Sequence, residues 1–206
     1  MKRGLILLVF LCVHLSIYPQ SLRMFGGLNL TKYGSSFVST ATTFSQKSGF
    51  SGGIAFAYPL SERLSIEADL MYSRKSSGVS LLYSASQEFT GIYQYSAIGL
   101  PLMIKIDLFP EATPYLLLGP EIDLIFSHKL NVTDTQEVFD LSETTNRIGF
   151  GINAGIGYEI PIHSFTLFFE SRCTIGLSNL LSSSTDTEKI KNTSLQFLIG
   201  GRINLK

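Results

Sequence analysis

The sequence has no tryptophan, two cysteines, seven prolines and a formal net charge of zero. Each shortage excludes something. Without an overall basic field, no partner of nucleic-acid type is indicated. One cysteine, Cys12, lies in the apolar N-terminal stretch and the other is Cys173, so a chain that loses its leader can form no internal disulfide. Charged residues make up 16% of the chain, against roughly 25% in soluble domains. Outside the N-terminus no apolar run reaches the roughly 18 residues of a membrane-spanning helix. If this chain crosses a membrane, it crosses with strands.

What is abundant fits that alternative. Gly (18 residues), Phe (15) and Tyr (9) suit twisted strands better than helices. Met1-Lys2-Arg3 followed by the apolar stretch Gly4–Val13 has the layout of a secretory signal peptide. Residues 1–20 are therefore expected to be a leader, cleaved between Tyr18 and Leu22, and residues 21–206 a single domain.

The clearest plan is in Ile148–Leu177. Ile148, Phe150, Ile152, Ala154, Ile156, Tyr158 and Ile160 share one parity, with Gly149, Gly151, Asn153, Gly155, Gly157 and Glu159 on the other. After Pro161–Ser164 the alternation resumes, with Phe165, Leu167, Phe169, Ser171, Cys173 and Ile175 against Thr166, Phe168, Glu170, Arg172 and Thr174. Side chains alternate across a strand, so this is a hairpin with one greasy and one polar face. Turning it about Ile162–His163 pairs Arg172 with Asn153 and Glu170 with Gly155.

Eight strands follow from the same reading: Arg23–Lys32, Phe50–Tyr58, Leu64–Arg74, Tyr93–Leu108, Tyr115–Phe126, Arg147–Ile160, Phe165–Leu177 and Ser194–Leu205. Links two, four and six are short (Pro59–Arg63, Phe109–Pro114, Pro161–Ser164). Links one, three, five and seven are long and polar (33–49, 75–92, 127–146, 178–193). Such alternation marks outer-membrane barrels, with short periplasmic turns and long outer loops. The expected fold is all-β: an eight-stranded antiparallel up-and-down transmembrane β-barrel preceded by a signal peptide.

Parity then sorts the charges. Glu67, Asp69, Lys105, Asp107, Glu121, Asp123, Arg147, Glu159, Glu170, Arg172 and Arg202 fall on the Gly-rich face, predicted to be a lumen network of structural ion pairs, since eight strands leave room only for side chains. The alternatives for that set are an ion path or a proton relay. The opposite face is expected to meet outer-membrane lipid, with Tyr58, Phe109, Tyr115, Tyr158 and Phe165 as the aromatic girdle of the short-turn side. Pro101 and Pro120 interrupt the fourth and fifth strands, which predicts a shared bulge. Tyr93 and Tyr95 take the lumen parity unless that bulge shifts them.

Catalysis has little to build on. His163 lies in a short turn, leaving Ser127-His128 with Glu137 and Glu143 in the same loop. Adjacent strand residues point apart, so no Ser–His–carboxylate set is expected, and no spacing predicts a metal or cofactor. Tyr33, Phe37, Phe44, Leu81, Leu82, Tyr83 and Phe139 are apolar residues in otherwise polar loops, offering contacts to an extracellular or envelope protein or to one another. Lys75, Lys129, Lys189 and Lys191 are expected at the outer rim beside lipid headgroups.

Six stretches in order, GGLNLTKYGS, IEADLMYSRKSSG, YSAIGLPLMIKIDL, PYLLLGPEID, FGINAGIGYEI and FESRCTIGLSNL, resemble the PorT-like outer-membrane β-barrel family of Bacteroidetes, similar in shape to OmpA- and OmpX-type barrels. The chain departs from that pattern at Ile98-Gly99-Leu100-Pro101, where many members carry an acidic residue before Ile-Pro, and at Lys206, where proteobacterial barrels commonly end in an aromatic. The resemblance implies an outer-membrane location. It leaves open a structural or surface-binding role, an accessory place in a secretion or surface-assembly machine, and a lipid-modifying activity resting on His128.

Overall fold

The computed structural model describes residues 21–35, 42–84, 87–109, 114–133, 135–182 and 190–205. Residues 1–20, expected to be a leader, and three of the residues singled out above, Phe37, Lys189 and Lys206, lie outside them. Eight strands form the ring: β1 (Ser21–Ser35), β2 (Thr42–Pro59), β3 (Leu64–Ser84), β4 (Gln87–Asp107), β5 (Pro114–Val132), β7 (Ile148–Ile162), β8 (Phe165–Gly176) and β9 (Ile190–Asn204). A short β6 (Val138–Asp140) pairs with Lys129–Asn131 of β5 at the outer end. All pairings are antiparallel, and β1 pairs with both β2 and β9, which closes the barrel.

Alternation gives the wall its two faces. Met24, Leu28, Leu102, Ile104, Leu118, Phe150, Ile152, Ile156 and Phe197 point outward and are exposed. Their partners in parity, among them Arg23, Glu67, Met103, Leu117, Asn153 and Gln196, are buried inside. The Gly-rich parity makes that packing possible. A Cβ on Gly157 would overlap the Tyr115 ring, so the glycine leaves the ring its space.

Several expectations need correction. The hairpin of β7 and β8 turns at His163–Ser164, with His163 at φ 49°, pairing Arg172 with Gly155 and Glu170 with Gly157. The register lies two residues from the expected one, and a shift of two leaves every side chain on its predicted face. The prolines share no bulge. Pro101↔Glu121 and Ile104↔Leu118 keep one register across the unpaired rungs between them. The irregularity lies further out, where Ser96 pairs with Ser127 and Ala97 with Ile125, leaving Phe126 as an extra residue in β5.

The long links are also shorter than expected. β1 runs to Ser35, β2 starts at Thr42, and the β3–β4 ladder continues to Ser84↔Gln87. Beyond the lipid-facing rows both faces of a strand can be polar, so the Ser-, Thr- and Gly-rich stretches look like loop in sequence while still forming ladder bonds.

Candidate functional site

The lumen is where this sequence places chemistry, and its charges gather in three groups along the axis. At the short-turn end Lys105 Nζ lies 2.9 Å from Glu159 Oε1 and 3.0 Å from Asp107 Oδ1, and Arg202 Nη2 lies 3.2 Å from Glu159 Oε2. Lys105 also stands 4.4 Å from the centre of the Tyr115 ring. These strand ends are closest to the short turns, so Asp107 and Arg202 keep some exposure.

The middle group is built on two guanidinium groups. Arg23 of β1 pairs with Glu67, and its Nη2 donates to Glu170 at 2.9 Å and to the Tyr115 hydroxyl at 2.8 Å. Tyr115 in turn donates to Glu170 Oε2 at 2.7 Å. Arg172 pairs with Asp69 and Glu170, and its Nη2 lies 3.3 Å from Glu67 Oε1. Arg23 stacks 3.8 Å from the centre of the Phe168 ring, and Arg172 lies 5.5 Å from that of Phe25. All of these carboxylates and guanidinium groups are buried.

Further out, Lys75 reaches Asp123 at 3.3 Å and Glu121 at 3.6 Å. Asn153 donates to Glu121, and Thr174 donates to Asn153. Lys75 was expected at the rim; it is buried because β3 continues past Arg74 with alternation intact.

Of the eleven charged residues predicted for the lumen, Arg147 does not belong there: it is exposed. β7 begins one residue later, and Arg147 offers only its carbonyl, to Ile125 N at 2.8 Å. Tyr115 belongs inside instead of in the girdle, whereas Phe109, Tyr158 and Phe165 are exposed on the outer face. The residue sequence reasoning missed is Arg23. It stands near the start of β1, on the inward parity of Phe25, Asn29, Thr31 and Tyr33.

An aromatic layer closes the outer end. Tyr33, Tyr93, Tyr95, Phe44 and His128 lie ring against ring, with Tyr33 centroid distances of 5.7 Å to Tyr93 and 6.2 Å to Tyr95 and His128. Tyr33 and Phe44, read as loop residues, are strand residues here. Tyr93 and Tyr95 keep the lumen side because the extra residue is in β5, not β4. That same extra residue turns His128 inward. Phe126 and His128 share parity, yet Phe126 is exposed and His128 is buried.

His128 is fully engaged. The Thr145 hydroxyl gives its proton to Leu141 O at 2.7 Å, so at 2.7 Å it accepts from Nδ1–H of His128. That assigns Nε2 as the bare nitrogen, 3.4 Å from the Tyr33 hydroxyl. The main chain of His128 also binds this loop, through Ser142 Oγ at 3.1 Å and Leu141 N at 2.8 Å. Ser127 lies on the other side of the strand, Glu143 is exposed, and Glu137 accepts from Thr135 at 3.2 Å. The arrangement pins an outer loop; it does not aim a base at a nucleophile. Replacing His128 by Ala is therefore expected to speed protease cleavage within 141–146 of the folded, membrane-inserted barrel, and Thr145→Val to do the same. Unchanged cleavage in both would contradict the pinning. Among the described residues no group of three or more His, Cys, Asp or Glu is placed to hold a metal ion.

The family model for the outer membrane protein beta-barrel domain matches residues 21–182. A comparison with curated proteins returns no match. Among solved structures the chain is similar to the outer membrane protein OprG from Pseudomonas aeruginosa, with 12% identity, a TM-score of 0.53, and coverage of 91% of this chain and 96% of that one. It is also similar to Neisserial surface protein A, with 15% identity, a TM-score of 0.49, and coverage of 88% and 96%. The attachment invasion locus protein Ail of Yersinia pestis, solved with the heparin analogue sucrose octasulfate, has 12% identity, a TM-score of 0.44, and coverage of 91% and 100%. At these identities the likeness is one of fold.

Proposed function

Because this chain belongs to the outer membrane protein beta-barrel domain family, we propose that it serves the outer membrane as a structural barrel with a filled lumen and a surface-binding outer end, not as a pore or an enzyme. It is integral to that membrane, its outward Leu, Ile and Phe rows facing lipid. In the same proposal Glu67, Asp69, Lys105, Asp107, Glu121, Asp123, Glu159, Glu170, Arg172 and Arg202, joined by Arg23 and Lys75, are the structural plug. The PorT-like resemblance in its six sequence stretches supports a place in that branch, and residues 1–20 are its cleaved leader.

The observation that carries this reading is the state of the central bases. Arg23 and Arg172 are 0% and 1% exposed and each pairs with at least two carboxylates. A hydrated path would leave such groups in water; a packed lumen leaves them only one another. The outer end is the remaining place for recognition, since β3 carries Leu82 and β6 carries Val138 and Phe139 exposed there.

The purified barrel in planar bilayers is expected to give no ion conductance above that of lipid alone. Sustained unitary currents would reject the filled-lumen reading. N-terminal sequencing of the same membrane-inserted preparation is expected to begin between residues 19 and 22; a retained Met1 would reject cleavage.

A further inference from the structure

The buried charges of the lumen do not balance: the middle group sets Glu67, Asp69 and Glu170 against Arg23 and Arg172, and the outer group has a surplus of its own. Among the described residues the buried Arg and Lys are Arg23, Lys75, Lys105 and Arg172, and the buried carboxylates are Glu67, Asp69, Glu121, Asp123, Glu159 and Glu170. At the short-turn end Lys105 and Arg202 meet Glu159 and Asp107, charge for charge. At the outer end Lys75 alone meets both Glu121 and Asp123.

These two side chains are two residues apart on β5 and share its inward face, and their carboxyl groups are within hydrogen-bonding reach of each other. Their outer oxygens are already committed: Asn153 donates to Glu121 Oε2, and Lys75 donates to Asp123 Oδ2 at 3.3 Å. The remaining pair, Glu121 Oε1 and Asp123 Oδ1, are buried and receive no hydrogen bond. Glu121 is 1% exposed. Both free oxygens converge over Gly99 of β4, where an added Cβ would stand 3.3 Å from the first and 2.9 Å from the second. Ionised carboxylates have only acceptors to offer each other, and burial without a donor costs each of them.

We propose that Glu121 and Asp123 share one proton, so that the outer end of the lumen is a proton-binding site completed by Lys75. One proton between Oε1 and Oδ1 satisfies both orphaned oxygens and leaves one negative charge against one ammonium. The groups facing the pair support that balance. Lys75 comes from β3; Gly99 and Tyr95 from β4; Gly149 and Asn153 from β7; and the next guanidinium inward, Arg172 of β8, is held by its own three carboxylates. A bound metal cation would have to share the space with the Lys75 ammonium, 3.6 Å from Glu121 Oε1.

Infrared difference spectra of the barrel in lipid bilayers, between H2O and D2O at neutral pH, test this. The wild type is expected to show the C=O stretch of a protonated carboxyl, displaced by 13C labelling of either Asp or Glu carboxyls. D123N and E121Q should each lose the band, because the remaining carboxylate then pairs one to one with Lys75. Heat-modifiable gel mobility checks that each variant is folded, and the labelled wild type carries the test if neither is. A wild type without the band, or a band retained in both folded variants, overturns the proposal. A wild type that lacks the band and melts higher in sodium chloride than in choline chloride holds a cation there instead.

Discussion

Replacing Arg172 by Met should cost the barrel about 3–5 kcal/mol, more than any single substitution on its outer face near the rim. Arg172 binds Glu67, Asp69 and Glu170, from β3 and β8, and is 1% exposed. Met has nearly the right length and fills the space beside Phe25, so the loss is one of charge more than of packing. What remains is three buried carboxylates around a single guanidinium, Arg23. The cost of removing one member of a buried set is mostly that of the partners left behind. Removing one partner as well should therefore restore much of the loss. Asp69 is the one to choose, because Arg172 is the only base it pairs with among the described residues, whereas Glu67 and Glu170 keep Arg23. Urea unfolding in lipid vesicles, followed by heat-modifiable mobility, measures both steps. The single variant is expected to unfold at much lower urea and the double variant R172M/D69N between it and the wild type. Equal midpoints for wild type and R172M would mean that water reaches the middle group and that the lumen is not filled.

Why this group could be read from the sequence while its centre could not is a matter of where each residue stands in its strand. Glu67, Asp69, Glu121, Asp123, Glu170 and Arg172 lie in mid-strand, where alternation runs unbroken on either side and parity alone fixes the direction. Arg23 stands only two residues into β1, with almost no alternation before it to fix its direction. Lys75, Tyr33 and Phe44 fall where lipid no longer demands an apolar outer face, so the contrast between faces fades although the ladder continues. His128 is a different failure. One extra residue, Phe126, inverts every parity beyond it, and alternation carries no mark of a bulge before the strands are paired. The prolines offered a false mark of one: Pro101 on its β3 side and Pro120 on its β4 side face unpaired rungs across which the register is kept, and neither needs an extra residue. The hairpin register differs by two from the expected one because the chain turns at His163–Ser164, one residue beyond Ile162–His163. The error was harmless, since the period of a strand is also two.

Leu118→Arg should destabilise the inserted barrel by about 2–4 kcal/mol, the cost of Arg near the bilayer midplane of a barrel. Leu118 lies between Ile104 of β4 and Ala154 of β7, each near the middle of its own lipid-facing row. It is 57% exposed, so nothing in the protein is displaced by the change. A soluble barrel would barely respond, because exposed substitutions away from special features stay within about 0.5 kcal/mol. The variant therefore reports on the solvent and not on the packing. Leu108→Arg, at the short-turn end of the same face, should cost only about 0–1 kcal/mol, because there the guanidinium reaches the headgroups. The ratio between the two positions separates lipid from a general intolerance of charge. It is read as the difference in urea midpoint in vesicles of fixed thickness. Thinner bilayers should shrink the Leu118→Arg penalty, since a shorter path then brings the charge to water. A penalty at Leu118 that ignores bilayer thickness would place the cause in the protein wall itself and contradict the lipid-facing assignment of this row.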